Sequence, residues 1–254
     1  MASPPPAGFQ GGSPPPAPPP DVALSYLFGV KADVAQNVHF HDERTLVYPC
    51  GHNVVLLNMD DRSQNILPCI DGTKEITAMA LSSSRRYLAV AEDAEIALIS
   101  VFDIVAKKKR KSLATEDCGS HQYVSLAFSP ANEKHLLSLS GEPDWLLILW
   151  QWDKLRYLAY QKVGTAGPNQ LLYQCSFNPL DASSIVVTGN GVFKYYKQAE
   201  NGLKVAHTQI AKKDMHAAWS QHYTTHAWVN WINNEVRLVV CTEQGEVIVL
   251  DANG

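Results

Sequence analysis

Short apolar runs separated by polar turns recur along the chain from Asp21 onward, and three of the groups they form are close copies of one another. Ile76 to Ser82, Val124 to Pro130 and Gln174 to Pro179 each open one group. A turn follows each, then a second run (Tyr87 to Ala91, His135 to Leu139, Ile185 to Gly189), another turn, and a third run (Ile96 to Asp103, Leu146 to Asp153, Val192 to Lys197). Divergent copies flank them: Val34 to Phe40, Thr45 to Tyr48 and Val54 to Met59 on one side, Thr225 to Val229, Leu238 to Thr242 and Val247 to Asp251 on the other. Run lengths of about five to seven, β-branched and aromatic enrichment, and turn clusters such as Ser82-Ser83-Ser84 and Gly189-Asn190-Gly191 predict strands. Helical spacing is nowhere sustained over about a dozen residues.

Aligning Phe40, Leu81, Phe128, Phe177 and Trp228 gives a period of about 40 to 50 residues, the range of a four-stranded propeller blade. Strands packed on both faces read as continuous apolar runs, whereas outer strands facing water read as polar. Arg62 to Leu67, Arg110 to Ala114 and Leu203 to Gln209 have the outer character. The fold expected is all-β: a WD40-type β-propeller over residues 21–254, incomplete, with about four to five blades of roughly seven. The chain then reads as a fragment or a truncated gene model, with open blade edges that promote self-association or aggregation. An early strand, Leu24 to Phe28, is expected to belong to the outer edge of the closing blade.

Composition sharpens this picture in three places. Residues 1–20 are almost wholly Pro, Gly, Ala and Ser, which predicts a disordered Pro-rich tail. No flanking basic residue anchors a PxxP register there for an SH3 or WW domain. A net charge of -4 supplies no global field for nucleic acid or anionic lipid, and no apolar run is long enough to span a bilayer; neither nucleic acid nor membrane is expected as a partner. Five scattered cysteines without a Cys-x-x-Cys spacing fit reduced thiols on the cytoplasmic side better than disulfides or a thiolate zinc site.

The series Ala127-Phe128-Ser129-Pro130, Leu136-Leu137-Ser138 and Leu149-Trp150 resembles the WD-repeat pattern. Gly119-Ser120-His121 comes nearest to its Gly-His opening, and Cys50-Gly51-His52 lies between strands, so the buried Asp-His-Ser-Trp network of regular repeats is not assigned. More specific phrases are Tyr26 to Val30, Asn37 to Phe40, Arg85 to Ala89, Lys109 to Lys111, Val187 to Lys194 and Thr225 to Trp228. In this order, over Leu24 to Asp251, they resemble the N-terminal part of the WD-repeat cilia- and flagella-associated protein 57 family. The resemblance implies a non-catalytic axonemal scaffold of motile cilia and flagella. Such a scaffold helps assemble or position inner dynein arms on doublet microtubules, with arm components and tubulin as partners. The alternative is a generic cytosolic WD-repeat adaptor, a ligase substrate receptor or a coat-type scaffold.

Chemistry-bearing constellations are thin. No Gly-x-Ser-x-Gly elbow, phosphate-binding glycine loop or His-Glu-x-x-His helix is present, so the chain is read as no enzyme, with no catalytic or cofactor-binding residue. Asp93, Glu95, Glu142 and Asp144 are expected to face water in loops between second and third strands. His216, His222 and His226 lie near one another in sequence; His39 and His41 would share a strand face, yet no carboxylate is placed to complete a ligand set with them, and no metal site or cofactor is expected. Trp150 and Trp152 are spaced to share a strand face and to pack between blades. The sharpest charge feature is Lys107, Lys108, Lys109, Arg110 and Lys111. It is expected either to be a solvated hairpin that discourages edge pairing or to contact an acidic partner such as a tubulin tail.

Overall fold

The computed structural model of the protein describes residues 24–164, 171–200, 202–208, 210, 222–232 and 235–252. The tail expected over residues 1–20 and His216 lie outside the described residues. The described strands form five antiparallel sheets in chain order. The first contains β1 (His39–Phe40), β2 (Thr45–Cys50), β3 (Asn53–Asn58) and β4 (Gln64–Pro68). The second contains β5 (Ile76–Leu81), β6 (Tyr87–Glu92), β7 (Leu98–Asp103) and β8 (Lys108–Leu113). The third runs from β9 (Tyr123–Phe128) through β10 (His135–Ser140) and β11 (Leu146–Gln151) to β12 (Arg156–Lys162). The fourth contains β13 (Leu172–Phe177), β14 (Ser184–Gly189), β15 (Val192–Ala199) and β16 (Gly202–His207), and the fifth β17 (Tyr223–Asn230), β18 (Val236–Thr242) and β19 (Val247–Leu250). Every sheet is a simple meander, so each pairing is local in sequence and fixed by a short turn.

The sheets stack face to face like blades, and the apolar clusters show how. One cluster joins Val54 and Leu56 to Met79, Leu88 and Val90 across sheets one and two. Others join Ile99 and Val101 to Leu126, Ile148 and Trp150, Leu149 to Cys175, Ile185 and Tyr196, and Phe193 and Tyr195 to Tyr223, Leu238 and Val240. The middle strands β6, β10 and β14 are buried on both faces, which is why they read as unbroken apolar runs. At about 25 cal/mol per Å² of apolar surface, stacking the sheets is the main stabilising term.

The innermost strands also hold polar rungs. The Thr77 hydroxyl donates to the Tyr123 carbonyl (2.7 Å), the Cys175 N–H to the Ser125 hydroxyl (3.1 Å), and the Gln174 amide to the His226 carbonyl (2.9 Å). These rungs step from β5 to β9 to β13 to β17, and they place the first strand of each blade next to the axis.

Three details differ from the sequence reading. The first inner strand is only two residues long because Ala35 bridges to Ala78 of the second sheet in parallel instead of extending β1. Leu24 to Phe28 contains no strand: Leu27 exchanges hydrogen bonds with the Gln64 side chain (2.8 and 2.9 Å), and the Phe28 carbonyl accepts from the Cys50 thiol (3.2 Å). A segment whose backbone is satisfied by side chains has no ladder to join. Trp152 belongs to a 3-10 turn, Trp152–Lys154, that caps β11. The Gly189-Asn190-Gly191 turn needs both glycines: Gly191 has φ 67°, and a Cβ on Gly189 would strike the Leu171 carbonyl and the Leu172 Cα.

Candidate functional site

The basic run forms the outer strand of the second blade rather than a hairpin. Asp103 ends β7, and its Oδ1 accepts the Ala106 N–H (3.0 Å), which starts the turn; Lys107 completes it in the left-handed region, φ 52°. The charged residues then run along β8, where positive side chains on a free strand edge oppose pairing with another chain.

A bulge sits where Val101 pairs with Lys111 and Phe102 with Lys109, so Arg110 is the extra residue. It reaches the Asp103 carboxylate at 2.7 and 3.2 Å, and Arg86 reaches the same oxygen at 3.1 and 3.3 Å. Burial alone would raise the Asp103 carboxyl, but the Ala106 N–H and the two guanidinium groups outweigh it and hold the group at about 2. Arg110 is therefore a structural ion-pair residue. Lys107 donates to Asn65 of the first blade (2.9 Å). Lys108, Lys109 and Lys111 make no ion pair among the described residues and remain on the rim, Lys109 opposite Phe102 and Lys111 opposite Val101 on the two faces of the strand. Of five predicted contact residues, three present uncommitted charge.

The four acids lie in the loops expected, with Glu95 and Glu142 exposed but Asp93 and Asp144 half-buried. Asp93 and Glu95 occupy the β6–β7 loop, and Glu142 and Asp144 the β10–β11 loop. Asp93 pairs with Lys74 (3.2 Å), and Asp144 accepts the Gly119 N–H (2.5 Å). A cavity of about 250 Å³ lies against the inner strands, between Ala35, Met79, Ser125, Gln174 and Thr225. No carboxylate, histidine or lysine lines it among the described residues, whereas an adjoining cavity of about 570 Å³, which shares Ala35, Val124 and Tyr173 with it, is lined by Asp33 and Glu142.

The histidines do not converge as a group. His41 lies past the end of β1 and its Nδ1 meets the Arg85 carbonyl (2.7 Å), while half-buried His39 is lowered in pKa by burial. His226 is different: its buried ring bridges the Ser176 hydroxyl (2.7 Å) and the Thr188 hydroxyl (2.8 Å), and Trp228 Nε1 donates to Ser176 (2.9 Å). Burial pushes it down to about 3, so the imidazole is neutral. In the third blade Trp150 Nε1 donates to Ser138 (2.8 Å). In the second, the fully buried Glu92 carboxylate accepts from Ser100 (2.5 Å), Thr73 (2.9 Å) and the Ile70 N–H (2.8 Å). These three knots are the polar cores of the blades. Sequence reading passed over them, although a lone Ser or Thr inside an apolar run, as at Ser100, Ser138 and Thr188, is their signal.

Trp150 and Trp152 both pack between the second and third blades, and Trp152 Nε1 donates to the Glu133 carbonyl (2.7 Å). Among the described residues no helix is long and apolar enough to cross a membrane.

No family model matches the chain. It is 32% identical over 230 residues to cilia- and flagella-associated protein 57 of Mus musculus, covering 89% of this chain and 17% of that protein. It is 29% identical over 280 residues to cilia- and flagella-associated protein 57 A of Tetrahymena thermophila, with 90% and 21% covered. Similarity extends to cilia- and flagella-associated protein 44 of Mus musculus, 26% identical over 179 residues with 70% and 9% covered. The chain thus spans about a fifth or less of the length of these relatives.

Proposed function

Because the chain is a WD-repeat β-sheet protein related to the cilia- and flagella-associated proteins, we propose that it is a non-catalytic scaffold of the ciliary axoneme. In this reading it binds axonemal proteins and helps position inner dynein arms on doublet microtubules. The observation that carries the reading is a match over about nine-tenths of the chain to relatives named for cilia and flagella. Five stacked sheets, whose loops and rims are displayed while the faces between neighbouring sheets are buried, suit docking. Residues 21–254 act as the propeller unit, and residues 1–20 as an appended tail. The uncommitted charges of Lys108, Lys109 and Lys111 supply short-range attraction for acidic tubulin tails.

The test is localisation of the tagged chain in ciliated cells, combined with tomography of axonemes after its removal. Axonemal localisation with missing inner-arm density that returns on re-expression is the expected outcome. Diffuse cytosolic distribution with intact arms would overturn it in favour of a cytosolic adaptor.

A further inference from the structure

We propose that His52, Cys69 and Glu92 form a zinc site that ties the first blade to the second. The three residues offer one nitrogen, one sulfur and one oxygen ligand, all within 4.8 Å of one another, and they are the group of metal-ligating side chains that converges among the described residues. The His52 Nε2 lies 3.9 Å from the Glu92 carboxylate. A tetrahedral zinc with bonds of about 2.0 to 2.3 Å sets its ligand atoms about 3.3 to 3.8 Å apart, so the side chains need to close in only slightly.

The fold brings them together from three separate places. His52 is in the β2–β3 turn, Cys69 directly follows β4, and Glu92 ends β6. His52 and Cys69 flank the Asn53–Pro68 pair that closes the β3–β4 ladder, and the Cys69 N–H reaches the His52 carbonyl (3.4 Å). Glu92 comes from the neighbouring blade. A metal held by all three would therefore be a staple between blades.

Charge gives an independent reason. The Glu92 side chain has no solvent exposure, and its hydrogen-bond partners, Ser100, Thr73 and the Ile70 N–H, are all neutral. A buried carboxylate without a cation is costly, and a divalent ion supplies the missing positive charge. The Thr73 hydroxyl stands between His52 Nε2 and Glu92, in contact with both ligand atoms, and gives way to the ion on binding. His52 keeps a third of its side chain exposed, which leaves an entry path and room for a water as fourth ligand. The nitrogen, thiolate and carboxylate set suits zinc better than magnesium or calcium, which prefer all-oxygen shells. On binding, the Cys69 thiol loses its proton to solvent and its sulfur forms the metal bond.

The test uses the full chain, stripped with chelator and then titrated with Co²⁺ alone or Zn²⁺ alone. One Co²⁺ per chain is expected, with a thiolate-to-cobalt charge-transfer band that disappears in Cys69→Ser. In His52→Gln, at a turn position with a third of the side chain exposed, the bound zinc falls by one equivalent and the zinc-induced rise in melting temperature vanishes. The far-ultraviolet circular dichroism of that variant is expected to stay unchanged. Absence of the band in the folded wild-type chain, its persistence in Cys69→Ser, or an equal zinc-induced rise in His52→Gln overturns the proposal.

Discussion

The junction between the first and second blades and the junction between the fourth and fifth are built on the same plan with opposite chemistry. Each places a polar knot inside an apolar cluster, where it joins residues of two sheets. In the first junction the central group is an anion: Glu92, fully buried, collects three hydrogen bonds from Ser100, Thr73 and Ile70. In the last it is a neutral base, His226, between Ser176 and Thr188. The comparison teaches that blade stacking requires a satisfied polar centre but does not dictate its charge. The two junctions should therefore fail under different stresses.

The largest effect is expected at the anionic knot. Glu92→Ala leaves the buried Ser100 hydroxyl and the part-buried Ile70 N–H without their acceptor and opens a cavity, at a cost of about 3 kcal/mol, while the Thr73 hydroxyl keeps the Ile70 carbonyl. Urea unfolding of the full chain with chelator present measures this, so any bound metal is removed from the difference. Hydrogen exchange then locates it, with faster exchange in β6 and β7 and little change in β17. Uniform acceleration across all five sheets would break the comparison, because the junctions would then be one cooperative unit rather than two knots.

At the neutral knot His226→Ala strands the Ser176 and Thr188 hydroxyls and should cost about 2–3 kcal/mol, while His226→Gln, which offers both a donor and an acceptor, should recover part of the loss. Loss of the same size in both variants would mean that ring volume, rather than its hydrogen bonds, holds the junction. Acid provides the sharper contrast. His226 sits at about 3 when folded and at about 6.5 when unfolded, so the unfolded chain binds the extra proton as pH falls. Its contribution is complete above about pH 6.5 and declines by roughly 1.4 kcal/mol per unit below it, reaching about 2 kcal/mol by pH 5. The Asp103 contribution persists through this window, since its folded value of about 2 lies below the free carboxylate value and its loss begins only under about pH 4. Urea midpoints followed from pH 7 to pH 5 should thus fall in the wild type and fall less in His226→Gln. Parallel slopes would show that the ring titrates alike in the folded and unfolded chain, so that burial does not lower it.

The same contrast explains what the sequence could reveal. Strand positions were legible because β6, β10 and β14 are packed on both faces and their apolar runs, from Tyr87, His135 and Ile185, could face nothing else. The outer strand β12 escaped notice because Tyr157, Leu158 and Tyr160 give it an apolar composition although all three are largely exposed. The knots were illegible for another reason. Glu92 meets Thr73 and His52 across a blade boundary, and His226 meets Ser176 across another, at separations no local pattern encodes. The basic run was visible as charge, but its division was not: only the bulge at Arg110 shows which cation is consumed by Asp103.

That division sets the smallest effect on stability and the most selective on binding. Replacing Lys108, Lys109 and Lys111 by Ser removes charge without touching either knot or the Asp103 ion pair, so stability should change by less than about 0.5 kcal/mol. Microtubule co-sedimentation at low salt should nevertheless weaken, because exposed charges act over a Debye length of about 10 Å at 0.1 M salt and less at higher salt. Arg110→Ser provides the counterpart: it should lower stability by leaving Asp103 with Arg86 as its one remaining guanidinium, while binding at low salt falls less than in the triple variant. If the triple variant sediments with microtubules as the wild type does, the rim lysines serve only to keep the β8 edge unpaired, and the axonemal contact must be sought on another surface of the blades.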